Sequence, residues 1–145
     1  TYPMPMPVIS ASPEERAALI GQKTLETARG LAQRTDVRFI GVGTIADPAP
    51  LALDGFISTE DQDRLIAKGA VGELIGWVFD ERGNLIEDSV NARVSSAPMG
   101  ADPKEPTIAC AFGPDKVAAI RAAIRGRLVN GLITDEDTAV ALTET

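Results

Sequence analysis

Three short apolar runs, each set beside a stretch of helical spacing, constrain this chain more than any other feature. Residues 37–42 are apolar and β-branched and close on Gly43, and residues 105–112 and 128–133 form two further runs. Runs of this length read as buried strands, and strands that alternate with helices build a layered, mostly parallel sheet. The helix starts are equally legible. Ser12-Pro13-Glu14-Glu15 supplies an N-cap, a proline at the first helical position and two carboxylates at the positive end of the helix dipole. The helix it opens is expected to reach about Arg34, with a stripe of small residues (Ala17, Ala18, Gly21, Leu25, Ala28, Ala32) lying close against a sheet. Ser58 with Asp61 forms a capping box at a second start, stopped by Gly69. Gly113-Pro114 opens a third helix with Val117, Ile120 and Ile124 on one side, and Thr134 with Asp137 is expected to cap a fourth. Residues 74–79 and 84–86, on either side of Asp80-Glu81-Arg82-Gly83, predict a β-hairpin. Prolines make residues 2–9 a linker or an edge strand and leave residues 44–57 without a regular element. The expected fold is α/β: a three-layer, Rossmann-like, mostly parallel sheet with helices on both faces and one β-hairpin, in a single domain over residues 1–145.

Composition narrows the function. A chain of 145 residues with 44% apolar and 24% charged side chains can bury a core of its own. Its 14 basic and 21 acidic side chains leave a net charge of -7, which repels phosphate backbones and anionic membrane surfaces. No apolar stretch approaches the roughly 20 residues of a membrane span, so neither nucleic acid nor membrane is expected as a direct partner. The one cysteine, Cys110, sits in an apolar run and is expected in the core of a reduced, cytoplasmic protein. Histidine is absent. Its absence removes Ser–His and Cys–His nucleophiles, the commonest general base and most zinc and non-haem iron sites. No metal and no cofactor is expected.

Chemistry could sit at three positions just beyond strand ends, where open α/β sheets bind ligands. In Gly41-Val42-Gly43-Thr44 two glycines let backbone N–H groups approach a ligand and Thr44 adds a hydroxyl, unless the glycines serve only a tight exit from the strand. Residues 41–46 fit a bare G-x-G-x-x-A pattern, but Asp47-Pro48-Ala49-Pro50 follows where a dinucleotide loop would open a helix. In Gly113-Pro114-Asp115-Lys116 a strand end feeds a helix N-terminus. Lys116 opposes the helix dipole there by roughly 0.3–1 kcal/mol unless a phosphate or carboxylate offsets it, although a solvated lysine would tolerate that penalty. Glu73 is the only charge in residues 69–79, and strand alternation would place it on one face with Ile75, Trp77 and Phe79. If that face is covered, the carboxylate needs Lys116 or a ligand hydroxyl as partner; if Glu73 precedes the strand, it faces water. Thr134-Asp135-Glu136-Asp137 reads as a capped helix start rather than a metal cluster, Arg121, Arg125 and Arg127 as complements of a helix C-terminus, and Trp77 as core.

Taken in order, Val42-Gly43-Thr44, Gly69-Ala70-Val71-Gly72-Glu73 with Phe79-Asp80 and Gly83, Gly113 with Lys116-Val117-Ala118-Ala119-Ile120, and Leu128-Val129-Asn130-Gly131-Leu132-Ile133-Thr134-Asp135-Glu136 form a familiar set. They resemble the C-terminal part of the sugar-binding domain of SorC-type bacterial transcriptional regulators, a group that includes deoxyribonucleoside and central glycolytic gene repressors. The resemblance runs from about Tyr2 to Leu142. It implies a fold like the sugar-phosphate isomerases and deaminases related to CoA transferases. It also implies an effector-sensing domain that binds a sugar or phosphorylated sugar and thereby alters homo-oligomerisation, as dimer or tetramer, and operator binding by an attached helix-turn-helix. Under it Glu73 reads sugar hydroxyls, Lys116 a phosphate or hydroxyl, and Gly41 and Gly43 line the pocket. The expected effector-binding set is Gly41, Gly43, Thr44, Glu73, Gly113 and Lys116. Two departures stand out. The family shows two glycines before its lysine-bearing helix where this chain has Phe112-Gly113. A complete sensor domain is also longer, so this chain is expected to be a fragment lacking the first phosphate-binding loop and the DNA-binding module. Regulation rather than turnover is expected; the alternative is an isomerase- or deaminase-like enzyme with Glu73 as base, against which the missing histidine counts.

Overall fold

The computed structural model describes residues 1–144. Ser12 caps α1 (Pro13–Ile20), its hydroxyl accepting from the Glu15 amide at 3.1 Å. The single helix expected to continue to Arg34 is instead two, because Gly21 ends the first and α2 (Lys23–Gln33) begins anew. Neither lies against a sheet: α1 buries no residue, α2 buries only Leu25, and α1 packs on α2 and on a short downstream helix. A stripe of alanine and glycine offers too little apolar area to draw a helix onto a sheet.

The chain continues through β1 (Arg38–Gly41), β2 (Gly43–Thr44) and a short α3 (Pro50–Leu53) inside the stretch expected to be irregular. In α4 (Thr59–Ala67) both arms of the Ser58–Asp61 capping box are formed. Then come β3 (Ala70–Leu74), β4 (Trp77–Asp80), α5 (Ser89–Arg93) and β5 (Thr107–Cys110). A 3₁₀ turn, Pro114–Lys116, leads into α6 (Val117–Arg125), followed by β6 (Gly131–Ile133) and α7 (Glu136–Thr143). Asp135 rather than Thr134 caps α7, accepting from the Thr138 amide at 3.0 Å.

The architecture is mixed α/β. β1, β5 and β6 form a parallel sheet in the order β1-β5-β6, and β2, β3 and β4 form a small antiparallel sheet. The hairpin turns where the sequence suggests an unbroken strand. β3 and β4 are joined by Ile75-Gly76, while the expected turn at residues 80–83 leads only to a single bridge between Phe79 and Leu85. Residues 73, 75, 77 and 79 therefore do not share one strand face; Glu73 pairs with Val78 on one side and Gly43 on the other.

Between the two sheets runs α6, whose Ala119, Ile120, Ala122 and Ala123 are buried with Ile40 and Ala109 of the parallel sheet and with Leu74 and Phe79 of the hairpin. The approach requires glycine at position 72, where a Cβ would stand 2.7 Å from that of Ala119. A second core of Ile45, Ile57, Leu65, Val78, Val90 and Val94 gathers α4 and α5 against the antiparallel sheet. The N-terminal segment joins it as an edge, with Ile9 bridging Val94 and the hydroxyls of Ser10 and Ser95 2.7 Å apart.

One face of the parallel sheet is open. Its register sets Phe39 beside Ile108 and Cys110 beside Ile133; Phe39 is 62% and Ile133 56% exposed. Cys110 lies on this face and is exposed, contrary to its expected place in the core, because strand alternation turns Ala109 inward in its stead. Among the described residues no helix is long and apolar enough to cross a membrane.

Candidate functional site

A cleft of about 410 Å³ opens where the first strands of both sheets, the β3–β4 turn and the start of α6 meet. Gly41, Gly43 and Thr44 line one side, where the chain leaves β1 for β2. Glu73 comes from β3, and Lys116, the last residue of the 3₁₀ turn, reaches the same cleft from a segment 43 residues away in sequence. Five of the six residues singled out from sequence thus converge. Gly113 does not line this cleft: its φ of 107° carries the backbone toward α7, where its N–H donates to the Thr138 hydroxyl at 2.8 Å. It lies beside a separate depression with Pro114, Asp135 and Ala141.

Glu73 is positioned from two sides. Its carboxylate accepts the Gly76 N–H at 2.7 Å, and it lies against Gly43, where a Cβ would overlap it. Burial pushes its pKa above the usual carboxylate range, an effect offset only in part by the Gly76 N–H and the Lys116 charge. Among the described residues no direct ion pair joins Glu73 and Lys116, and no other carboxylate pairs with that ammonium. The lysine sits at the N-cap of α6, against the helix dipole. Two opposite charges thus share one cavity with their hydrogen-bonding capacity largely unspent.

The apolar part of the cleft was not foreseen from the sequence. Val8, Pro50, Leu51, Phe56 and Ile75 line it, contributed by the N-terminal segment, α3 and its exit, and the β3–β4 turn. The one signal that could have found Ile75 is Gly76, which interrupts the alternation of residues 70–79. Three hydroxyl-directed features (a half-buried carboxylate, an ammonium, a threonine) beside an apolar wall can hold a small polyhydroxylated molecule in one orientation. Among the described residues no group of acidic or cysteine side chains could hold a metal ion.

The geometry agrees with what the chain is similar to. Residues 1–144 match the family model described as "Putative sugar-binding domain". The erythritol catabolism regulatory protein EryD of Brucella abortus is 33% identical over 141 residues, which is 97% of this chain and 45% of that protein. A transcriptional regulator from Streptococcus pneumoniae superposes with a TM-score of 0.84 at 22% identity, over 97% of this chain and 54% of that one. The full-length sorbitol operon regulator SorC from Klebsiella pneumoniae does so with 0.81 at 23% identity, over 94% and 45%. The chain spans less than half the length of the curated relatives it matches. This chain belongs to the "Putative sugar-binding domain" family, and its curated relatives are named as transcriptional and catabolic regulators.

Proposed function

We propose that the chain is part of the effector-sensing domain of a cytoplasmic, sugar-responsive transcriptional regulator and that the cleft takes a sugar or sugar phosphate. The carrying observation is the convergence of Glu73 and Lys116, which share a cavity yet do not pair with each other. A carboxylate accepts from vicinal hydroxyls, and an ammonium beside a helix start takes a phosphate or hydroxyl. The Gly41 and Gly43 backbone and the Thr44 hydroxyl complete the polar side. Binding rather than turnover is favoured, because the relatives are named as regulators, the chain has no histidine, and among the described residues no second carboxylate lines the cleft to act with Glu73.

The open sheet face supports a further part of this reading: the chain is a portion of a longer domain whose remaining segments cover Phe39 and Ile133. Parallel sheets are covered on both faces, and the relatives are more than twice as long. Effector binding would shift the populations of two homo-oligomeric states and, through a helix-turn-helix elsewhere in the full regulator, operator occupancy.

The test is a thermal-shift and calorimetric screen with sugars, polyols and their monophosphates. A binder at 100 times its dissociation constant stabilises by about 2.7 kcal/mol. Lys116→Ala and Glu73→Gln should each abolish most of that stabilisation. Equal stabilisation of parent and variants sinks the assignment of the cleft, and product formation from an open-chain sugar phosphate sinks the preference for binding.

A further inference from the structure

We propose that the Ile75-Gly76 turn is a specificity-determining edge of the cleft, where strained backbone is tolerated so that an apolar side chain faces the carbohydrate; this rests on the sugar-binding reading above. β3 and β4 are joined by two residues only, Ile75 with φ 46° and Gly76 with φ 94°. Positive φ at both positions defines a type I′ turn, for which Asn-Gly and Asp-Gly are strongly preferred. A β-branched residue there is an outlier. Such strain persists only where the surroundings over-determine it, and here they do. The Ser96 hydroxyl donates to the Ile75 carbonyl at 2.6 Å, and the Gly76 N–H donates to the Glu73 carboxylate at 2.7 Å.

An asparagine at position 75 would satisfy the turn without strain. Isoleucine has instead a side chain that packs in part on the first core and also lines the cleft, two residues from the carboxylate proposed to take hydroxyls. The ligand that satisfies both is a carbohydrate with hydroxyls on one side and a C–H surface, or a carbon bearing no hydroxyl, on the other. Glu73 and Lys116 read the polar side and Ile75 the apolar one.

Calorimetry with erythritol 4-phosphate, ribose 5-phosphate and glucose 6-phosphate, alongside ligand-free melting, tests this on wild type, Ile75→Asn and Ile86→Asn. Ile86 is likewise half-buried, packs on the second core and has no positive φ. Ile75→Asn should weaken the tightest of these probes by about tenfold or more, as loss of one apolar contact in a specificity pocket does. Because relieved strain offsets lost burial, it should melt within about 3 °C of wild type, whereas Ile86→Asn drops by about 5 °C or more and keeps its affinity. Unchanged probe affinity in Ile75→Asn, or melting as low as Ile86→Asn, overturns the proposal while leaving the sugar reading intact if Glu73→Gln and Lys116→Ala still lose binding. A wild type that binds none of the three probes overturns the role of Ile75 in recognition together with that reading.

Discussion

Two regions of this protein concentrate charge, and they are completed in opposite ways. Around α4 and α5, Asp61, Arg64, Lys68, Asp88 and Arg93 satisfy one another: Arg64 reaches Asp88 at 2.9 Å and Asp61 at 2.6 Å, Lys68 reaches Asp88 at 2.8 Å, and Arg93 reaches Asp61 at 2.8 Å. Hydrogen bonds from Arg64, outweighing burial, hold the Asp88 carboxyl well below its usual range, with Lys68 and the Val90 amide adding to the effect. Burial pulls Asp61 upward, but Arg64, the Ser58 amide and Arg93 prevail and keep it low. In the cleft the reverse holds: Glu73 is pushed up by burial, and Lys116 opposes a helix dipole with no carboxylate paired to it among the described residues. Charges that hold a fold together are paired within it, whereas the two cleft charges are left without a direct partner, as the proposed ligand site requires.

The contrast breaks most visibly at Asp88, whose side chain is only 1% exposed and which also caps α5 through the Val90 amide at 2.9 Å. Asp88→Ala removes a cap and two charge-assisted partners, for a loss of about 2–3 kcal/mol and a fall in melting midpoint of about 6–10 °C, with effector affinity of the folded protein unchanged. Melting curves paired with binding titrations check it. Lys116→Ala should do the converse. It weakens a phosphorylated effector by about 1.5–3 kcal/mol and leaves the ligand-free protein as stable as the parent or slightly more so, because the dipole conflict disappears. If Lys116→Ala unfolds the protein, the lysine belongs with the structural charges and the comparison fails. Gly43→Ala lies between the two. Its methyl displaces the Glu73 carboxylate from the Gly76 N–H, so affinity and ligand-free stability should each change by about 1 kcal/mol, and restoring small volume with Glu73→Asp should recover part of the stability.

How much of this was legible in the sequence follows the same division. The capping box at Ser58 and Asp61, the parallel strands and the helix after Gly113 were readable because cap chemistry and apolar runs act within a few residues. The break at Gly21 and the turn at Ile75-Gly76 were not, because a single glycine in a periodic run permits a break without requiring one, and the exposure of Cys110 was not, because alternation does not say which face of a strand is covered. Glu73, a lone charge in an apolar run, and Lys116, a lysine at the wrong end of a helix, carried local signals and could be paired as possible partners, but no local signal fixed the distance between them. Their meeting in one cleft needed the chain crossing from β3 to the turn before α6. The apolar wall was invisible for the same reason: Val8, Leu51 and Phe56 carry no local signal that they converge.

The smallest expected effect gives the finest distinction, because the two regions should respond to pH with opposite signs. For Asp88 and Asp61 the folded pKa lies below the unfolded one, so their contribution is full at neutral pH and is lost as pH falls below about 4. Glu73 has its folded pKa raised, so the folded state is relatively favoured while this group is protonated and loses that advantage as pH climbs through the raised value. Glu73→Gln keeps an oxygen for the Gly76 N–H and cannot ionise. It should therefore be more stable than the parent at pH 7, with the gap closing below about pH 4. Urea denaturation of both proteins across pH 3.5 to 8, without ligand, measures that gap, each pH being an experimental setting spanning the carboxylate range. A variant less stable than the parent at neutral pH would mean that Glu73 already has an internal partner for its charge, and would move it from the ligand-facing group to the structural one.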